Sequence, residues 1–378
     1  LNYSEIPSPA FVLDEKLLRK NLELISHVQQ KAGIEIILAF KGFAMWSAFP
    51  IVREYLNGAT ASSLNEARLC FEEMKTPAHV FAPVYAANEF NELMNYSSHI
   101  VFNSFNQFTR YYPQTLKCKH KISCGIRINP EYSDVKTDLY NPSAPGSRLG
   151  VGIEDMPHEL PEGIEGIHFH ALCESDSYSL EKVLQKLEIN FSQYLHQAKW
   201  INMGGGHLIT RKGYNHQHLI KILKEFRQKY NVNIILEPGS AIAWETGVLV
   251  STILDIVEHK GIKTAILDVS FTAHMPDTLE MPYRPKIIGA KEPSTNIKYL
   301  YRLGGNSCLA GDFMEAYDFD HELQIGEQIV FLDMIHYTMV KTTLFNGVKH
   351  PSIAIWTKNN KLKIVREFNY ADFKDRLS

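Results

Sequence analysis

From Ile34 onward, short apolar runs alternate with amphipathic stretches, and this alternation limits the possible folds more than any other feature of the chain. The runs are Ile34–Phe40, Ala59–Ser62, Val80–Ala82, His99–Phe102, Ile122–Ile128, Gly166–Ala171, Trp200–Met203 and Asn233–Leu236. A strand buried on both faces reads as a continuous apolar run, and parallel pairing needs a crossover between successive strands. Helices are expected at Ala44–Leu56, Leu64–Met74, Asn88–Tyr96, Ser179–His196 and His216–Tyr230, and another after Asp14 running to about Lys31. Eight strands, mostly alternating with helices, predict an α/β chain of the (β/α)8 TIM-barrel type, with its chemistry at the C-terminal ends of the strands. Beyond about residue 244 the texture becomes β-rich, at Val248–Val257, Thr264–Val269, Lys298–Leu303, Gln328–Met334 and Ser352–Thr357. Asn359-Asn360 then marks the turn of a terminal hairpin. The expected organisation is a barrel over residues 1–243 and a C-terminal β-sandwich or β-barrel domain over residues 244–378.

Composition narrows the function class. A formal net charge of -3 gives no general attraction to nucleic acid or to an anionic membrane. The most apolar late stretch, Ile234–Val257, is broken by Glu237, Pro238, Glu245 and Asp255 and does not span a bilayer. Cys70, Cys118, Cys124, Cys173 and Cys308 form no Cys-x-x-Cys pair, which points to a reducing compartment and away from a zinc knuckle. Residues 1–7 carry no basic segment followed by an apolar core, so no signal peptide and a cytoplasmic location are expected.

Several residues stand where a barrel keeps its chemistry. Lys41 ends the first run and is followed at once by Gly42; an amine there is expected to be partly desolvated, with a lowered pKa that makes it a nucleophile. The plainer alternative is a surface lysine past a strand end. His168 and His170, two apart on a strand, share a face and suit a metal pair, a ring stacked on a flat cofactor, or one core and one solvent histidine. Gly204-Gly205-Gly206 lacks the dinucleotide fingerprint; its N–H groups suit an anion, or it is a tight turn. Glu237-Pro-Gly-Ser240 ends the eighth run and directs a carboxylate to the barrel mouth. The long Pro/Gly/Ser/Asp-rich stretch from Glu131 to Pro161 reads as a functional loop.

Taken in order, the run of Ala-Phe-Lys41, Ser147-Arg148-Leu-Gly150, His168-Phe-His170, Gly204–Gly206, Glu237-Pro-Gly, Cys308 with Asp312, and Tyr337 with Phe-Asn-Gly347 resembles the alanine-racemase-fold (fold type III) pyridoxal-phosphate decarboxylases. That resemblance implies a barrel plus a β domain, a pyridoxal 5'-phosphate cofactor held by Lys41, and His170 stacked on its ring. It also implies Gly204–Gly206 and Tyr337 at the phosphate, Glu237 at the pyridine nitrogen, and Cys308 returning a proton to Cα. Arg148 and Asp312 are implied at the substrate, no metal is implied, and a homodimer with shared active sites is expected, with Cys308 and Asp312 serving the partner's site.

Departures from the pattern narrow the substrate. Ornithine and diaminopimelate decarboxylases carry an acid directly after the cysteine, where this chain has Leu309. Ser240 stands in place of the family's arginine, which removes one cationic phosphate contact. With the runs His168–Glu174 and His274–Pro285, the chain looks most like the carboxynorspermidine/carboxyspermidine decarboxylases, for which Asp277 and Glu280 suit the cationic tail. Decarboxylation of diaminopimelate, ornithine or arginine is an alternative within the family. Further alternatives are a metal-dependent barrel hydrolase built on His168 and His170, a non-catalytic relative that binds a partner protein, and an amino-acid racemase. Intact Lys41, Glu237 and Cys308 weigh against the non-catalytic relative. Glu237, by favouring a protonated pyridine nitrogen, weighs against the racemase.

Overall fold

A computed structural model of the chain describes residues 2–136, 140–281, 283–295 and 298–378. Parts of the predicted 131–161 loop and of the 274–285 run therefore lie outside the described residues. The chain divides into two compact units, Asn21–Ile242 and Leu1–Lys20 with Ala243–Ser378.

The strands in chain order are β1 (Ala10–Asp14), β2 (Glu35–Ile36), β3 (Leu38–Ala39), β4 (Ala59–Ala61), β5 (Ala78–Phe81), β6 (Ser97–Phe102), β7 (Ser123–Arg127), β8 (Ile164–His168), β9 (Trp200–Asn202) and β10 (Asn233–Leu236). After the barrel come β11 (Gly247–His259), β12 (Ile262–Leu267), β13 (Ala290–Lys291), β14 (Tyr299–Gly304), β15 (Phe313–Phe319), β16 (Gln328–Leu332), β17 (Ser352–Trp356) and β18 (Leu362–Arg366). In the Asn21–Ile242 unit, β2 to β10 form one parallel sheet. Its ends are β2, paired with β10, and β3, paired with β4. These two are consecutive pieces of a single run, so the run that leads to Lys41 closes the ring. All eight predicted strands are present.

The helices that cross between strands are amphipathic. Ser177–Leu195 begins with the Asp176 carboxylate accepting from the Tyr178 and Ser179 N–H groups and buries Leu180, Val183, Leu184, Leu187 and Phe191. Each such side chain removed from water contributes roughly 1.5–3 kcal/mol before entropy is counted. Phe105–Thr115 is a helix although Pro113 lies inside it; Ser104 caps it and it buries Phe108 and Tyr111.

The second unit is a mixed sheet in the order β13-β15-β14-β12-β11-β1-β17-β18, with β16 also on β11. The first half of β11 pairs with β1 and β16, and beyond an irregularity between Ile253 and Asp255 the second half pairs with β12. A break of this kind bends a strand and lets it serve two groups of partners. The terminal hairpin of β17 and β18 is as expected. Residues 1–20 were assigned to the barrel from sequence but form part of this second unit. The reason is β1, which pairs antiparallel with β11 and parallel with β17, burying Ala10 and Val12 against Val248, Val250 and Ala354. A four-residue apolar run shows that it is a strand but not which sheet accepts it. Among the described residues no helix is long and apolar enough to cross a membrane.

Candidate active site

Lys41 lies just past the C-terminal end of β3, as predicted, and the residue is exposed. The glycine after it has a steric origin. A Cβ on Gly42 would lie 2.7 Å from Gly239 Cα and 2.8 Å from Ser240 N. The Lys41-Gly42 turn therefore packs backbone to backbone on the Glu237-Pro-Gly239-Ser240 turn, and two distant motifs share one close contact. The Lys41 charge acts on Glu66, His170 and Cys173.

Glu237 is 8% exposed at the end of β10. Its Oε1 accepts from Asn202 Nδ2 at 2.6 Å, and its Oε2 lies 3.7 Å from His168 Nε2. Asn202, the last residue of β9, also accepts the Gly204 N–H on Oδ1 at 2.9 Å. One buried amide thus orients both the carboxylate and the glycine loop. Arg127, 4% exposed at the end of β7, stacks its guanidinium 4.5 Å from the centre of the Phe81 ring. Burial lowers its pKa to about 10, Glu237 opposes the shift, and Arg148 adds to it. Its Nε has no hydrogen-bond partner among the described residues.

His168 and His170 do not act as a matched pair. His168 ends β8 against Phe81 and Glu237. His170 lies beyond the strand, and its Nδ1 accepts the Gly205 N–H at 3.0 Å. Its neutral ring therefore carries the proton on Nε2. Desolvation, then the charges of Arg127 and Lys41, holds its pKa well below the ordinary histidine value. It is a flat, uncharged ring at pH 7.

The glycine triplet is shaped first by its own packing. A Cβ on Gly204 would meet Phe169 O at 2.7 Å, one on Gly205 would meet Glu237 O at 2.5 Å, and one on Gly206 would meet Leu172 O at 2.1 Å. Two of the three N–H groups already have partners, Asn202 and His170. The expected anion cradle thus rests on Gly206 alone unless those bonds exchange. Ser240 begins the short helix Ser240–Ala243.

The remaining predicted residues, Arg148 apart, belong to the sheet unit. Cys308 is an exposed free thiol whose N–H donates to Asn346 Oδ1 at 3.0 Å. Asp312 is 4% exposed. Its Oδ1 accepts from the Thr272 N–H at 3.0 Å and Thr272 Oγ1 at 3.5 Å, and its Oδ2 from the Ser307 N–H at 3.1 Å and Ser307 Oγ at 2.6 Å. Asp277 is 7% exposed. Its Oδ2 accepts from Tyr283 at 2.7 Å and Thr338 at 2.8 Å, while Oδ1 has no partner among the described residues. Glu280 is instead paired with Lys341 at the surface. Tyr337 begins the short helix Tyr337–Val340 and is half-buried. Arg148, in the barrel unit, is exposed, and its carbonyl accepts from Asn103.

Sequence reasoning missed Asn202 and Arg127 as site residues. The available signal was a polar residue at the end of an otherwise apolar strand, which is costly to bury unless something uses it.

Comparison with known proteins adds what geometry alone does not. The family described as pyridoxal-dependent decarboxylase, C-terminal sheet domain, matches residues 12–335. A carboxyaminopropylagmatine decarboxylase from Synechocystis is 51% identical, with 99% of this chain and 96% of that protein covered. A carboxynorspermidine/carboxyspermidine decarboxylase from Campylobacter jejuni is 44% identical, with 99% of each covered. The crystal structure of carboxynorspermidine decarboxylase from Campylobacter jejuni, complexed with norspermidine, superposes with a TM-score of 0.91 at 43% identity, covering 98% of this chain and 100% of that one.

Proposed function

The chain belongs to the pyridoxal-dependent decarboxylases, and on that premise we propose that it removes the carboxylate from the amino-acid end of a long polyamine, converting carboxynorspermidine or carboxyspermidine to norspermidine or spermidine. The observation that carries the substrate class is Asp277. Asp277 is buried, with Oδ2 accepting from Tyr283 and Thr338 and Oδ1 without a partner among the described residues, and a carboxylate so placed is favoured by a cation opposite it. Glu280 joins it at the tail only by giving up Lys341.

The residues fit pyridoxal 5'-phosphate on their own chemistry. Lys41 brings an amine to a strand end as an exposed residue, His170 offers a neutral flat ring, and Glu237 a carboxylate already oriented by Asn202. The buried Arg127 Nε, without a hydrogen-bond partner among the described residues, adds a donor. When bound, the cofactor supplies the electron sink for the pair left by the departing CO2. Lys41 would hold the aldehyde and His170 the ring face. Glu237 would keep a proton on the pyridine nitrogen, and Gly204, Gly205, Gly206 and Tyr337 would take the phosphate without the arginine that Ser240 replaces. Cys308 would return the proton to Cα, and Arg148 would assist substrate binding. The working form is a cytoplasmic homodimer in which Cys308 and Asp312 serve the partner's Lys41 site, with no nucleic acid or membrane partner.

A second reading, carboxyaminopropylagmatine as substrate, is favoured by the Synechocystis relative. The two readings differ at the tail. A guanidinium prefers two parallel bonds to a carboxylate, whereas an ammonium acts as a point charge. With Oδ2 already accepting from Tyr283 and Thr338, Asp277 offers a single oxygen, which suits an ammonium. The test is CO2 release and amine product from carboxynorspermidine, carboxyspermidine, carboxyaminopropylagmatine, diaminopimelate, ornithine and arginine. The highest kcat/KM is expected with one of the first two. A preference for ornithine, diaminopimelate or arginine would overturn the polyamine reading.

A further inference from the structure

Asp312 has no oxygen to spare for a substrate. Both its oxygens are engaged, Oδ1 by the Thr272 N–H with the Thr272 hydroxyl more distant at 3.5 Å, and Oδ2 by the N–H and hydroxyl of Ser307. Its backbone is committed too, since Gly305 N–H donates to its carbonyl at 2.7 Å and its own N–H donates to Leu309 O at 3.0 Å. Gly305 lies so close that a Cβ there would meet the carboxylate at 2.3 Å. The four donors come from two segments. Ser307 precedes Cys308 in the turn, and Thr272 lies in the helix Phe271–His274, which runs directly into Pro276–Glu280 and Asp277. Ser270 caps the first of these helices through the Ala273 N–H at 3.0 Å, which fixes Thr272.

We propose that Asp312 is a positioning residue: its carboxylate ties the Cys308 turn to the segment carrying Asp277, so that proton donor and tail carboxylate keep one spacing. Asn346 is the second hold, accepting the Cys308 N–H from a left-handed backbone position at φ 56° that asparagine tolerates. Cys308 thereby has a defined place although its side chain is exposed. This inference rests on the decarboxylase reading for the role of the thiol, but the anchoring itself does not.

The test compares Asp312→Asn, which keeps the shape and turns one acceptor into a donor facing donors, with Cys308→Ala, Asp277→Asn and the double variant Asp312→Asn/Cys308→Ala, all loaded with pyridoxal 5'-phosphate. Ser307→Ala, which removes one of the four donors, serves if Asp312→Asn does not fold. Cys308→Ala should lower kcat and Asp277→Asn should raise KM. Asp312→Asn should do both, with kcat down about tenfold, the effect of stranding a buried donor. In the Cys308→Ala background the further loss from Asp312→Asn should shrink to less than about twofold, because coupled residues are not additive. Independently of turnover, the rate of Cys308 alkylation by iodoacetamide, followed by peptide mass spectrometry, should change at least about threefold while the other cysteines keep theirs. Equal kcat losses in both backgrounds with unchanged alkylation would overturn the proposal. Wild-type kcat in Cys308→Ala, with altered alkylation in Asp312→Asn, would instead remove the catalytic role of Cys308 and leave the anchoring intact.

Discussion

The barrel mouth and the Cys308 turn are built in opposite ways. At the mouth, Lys41, Arg127, His168, Asn202 and Glu237 each sit at or just beyond the end of a different parallel strand, and the ladder places them before any side chain interacts. Side-chain bonds then adjust charge and orientation, as Asn202 does for Glu237. The Cys308 turn has no ladder of its own between β14 and β15; beside a few backbone bonds, such as Asn306 N–H to Val269 O at 3.0 Å, one carboxylate and one asparagine hold it. Losing a partner at the mouth should therefore change electrostatics within an intact frame. Losing Asp312 or Asn346 should change geometry.

The largest effects test whether these two regions form one site. Lys41→Ala and Cys308→Ala should each be severely defective. If the site is shared by two copies, mixing them under conditions of proven subunit exchange makes about half the dimers hybrids and restores about a quarter of the sites, because a two-fold dimer repeats each cross-subunit contact. Activity that stays at the level of the separate variants, with hybrids shown by native mass spectrometry, would place both residues in a site made from one chain.

Within the mouth, Glu237→Gln keeps the hydrogen-bonding shape and removes the charge. Decarboxylation should fall at least about a hundredfold, or about 2.7 kcal/mol, measured in single turnover. An unchanged chemical step would make Glu237 structural. Asp277→Asn should raise KM for the polyamine about tenfold with little loss of kcat, since tail binding is largely uniform between ground and transition states. A fall in kcat at constant KM would move the tail elsewhere.

An effect on stability rather than on turnover separates the two units by acid. Burial lowers the pKa of His79, His99, His168, His170 and His207 in the barrel, with His99 and His207 at about 4, against His274 at about 3 and His350 in the sheet. These rings are neutral when folded, while the unfolded chain takes up protons at about 6.5. Their contribution is complete above pH 6.5 and is lost as the pH falls toward 4, at up to about 1.4 kcal/mol per group per pH unit. His321, paired with Asp320 and Glu327 in the sheet, has a raised pKa and works in the opposite direction. Hydrogen exchange between pH 6.5 and 4 should therefore show barrel amides losing protection first. Simultaneous loss would show that the two units unfold as one.

Legibility from sequence follows the same division. The barrel strands were readable because two-sided burial leaves unbroken apolar runs, and Lys41 and Glu237 because they end such runs. The membership of β1 was not readable, because pairing partners more than two hundred residues away leave no local trace. Asn202 was hidden as an ordinary polar residue, and the Thr272 and Ser307 donors around Asp312 were hidden because sequence shows an acid near a thiol but not what surrounds it. The exposure of Lys41 was not readable because strand-end position does not fix it.

Everything proposed for the barrel mouth depends on Lys41 being the residue that carries the cofactor. The most direct measurement is borohydride treatment of the purified protein loaded with pyridoxal 5'-phosphate, followed by absorption spectroscopy and peptide mapping. Loss of the long-wavelength band, with the reduced pyridoxyl phosphate mass found on the peptide containing Lys41 and missing from Lys41→Ala, is the predicted result. The same mass on another lysine, or none on any, would contradict the account.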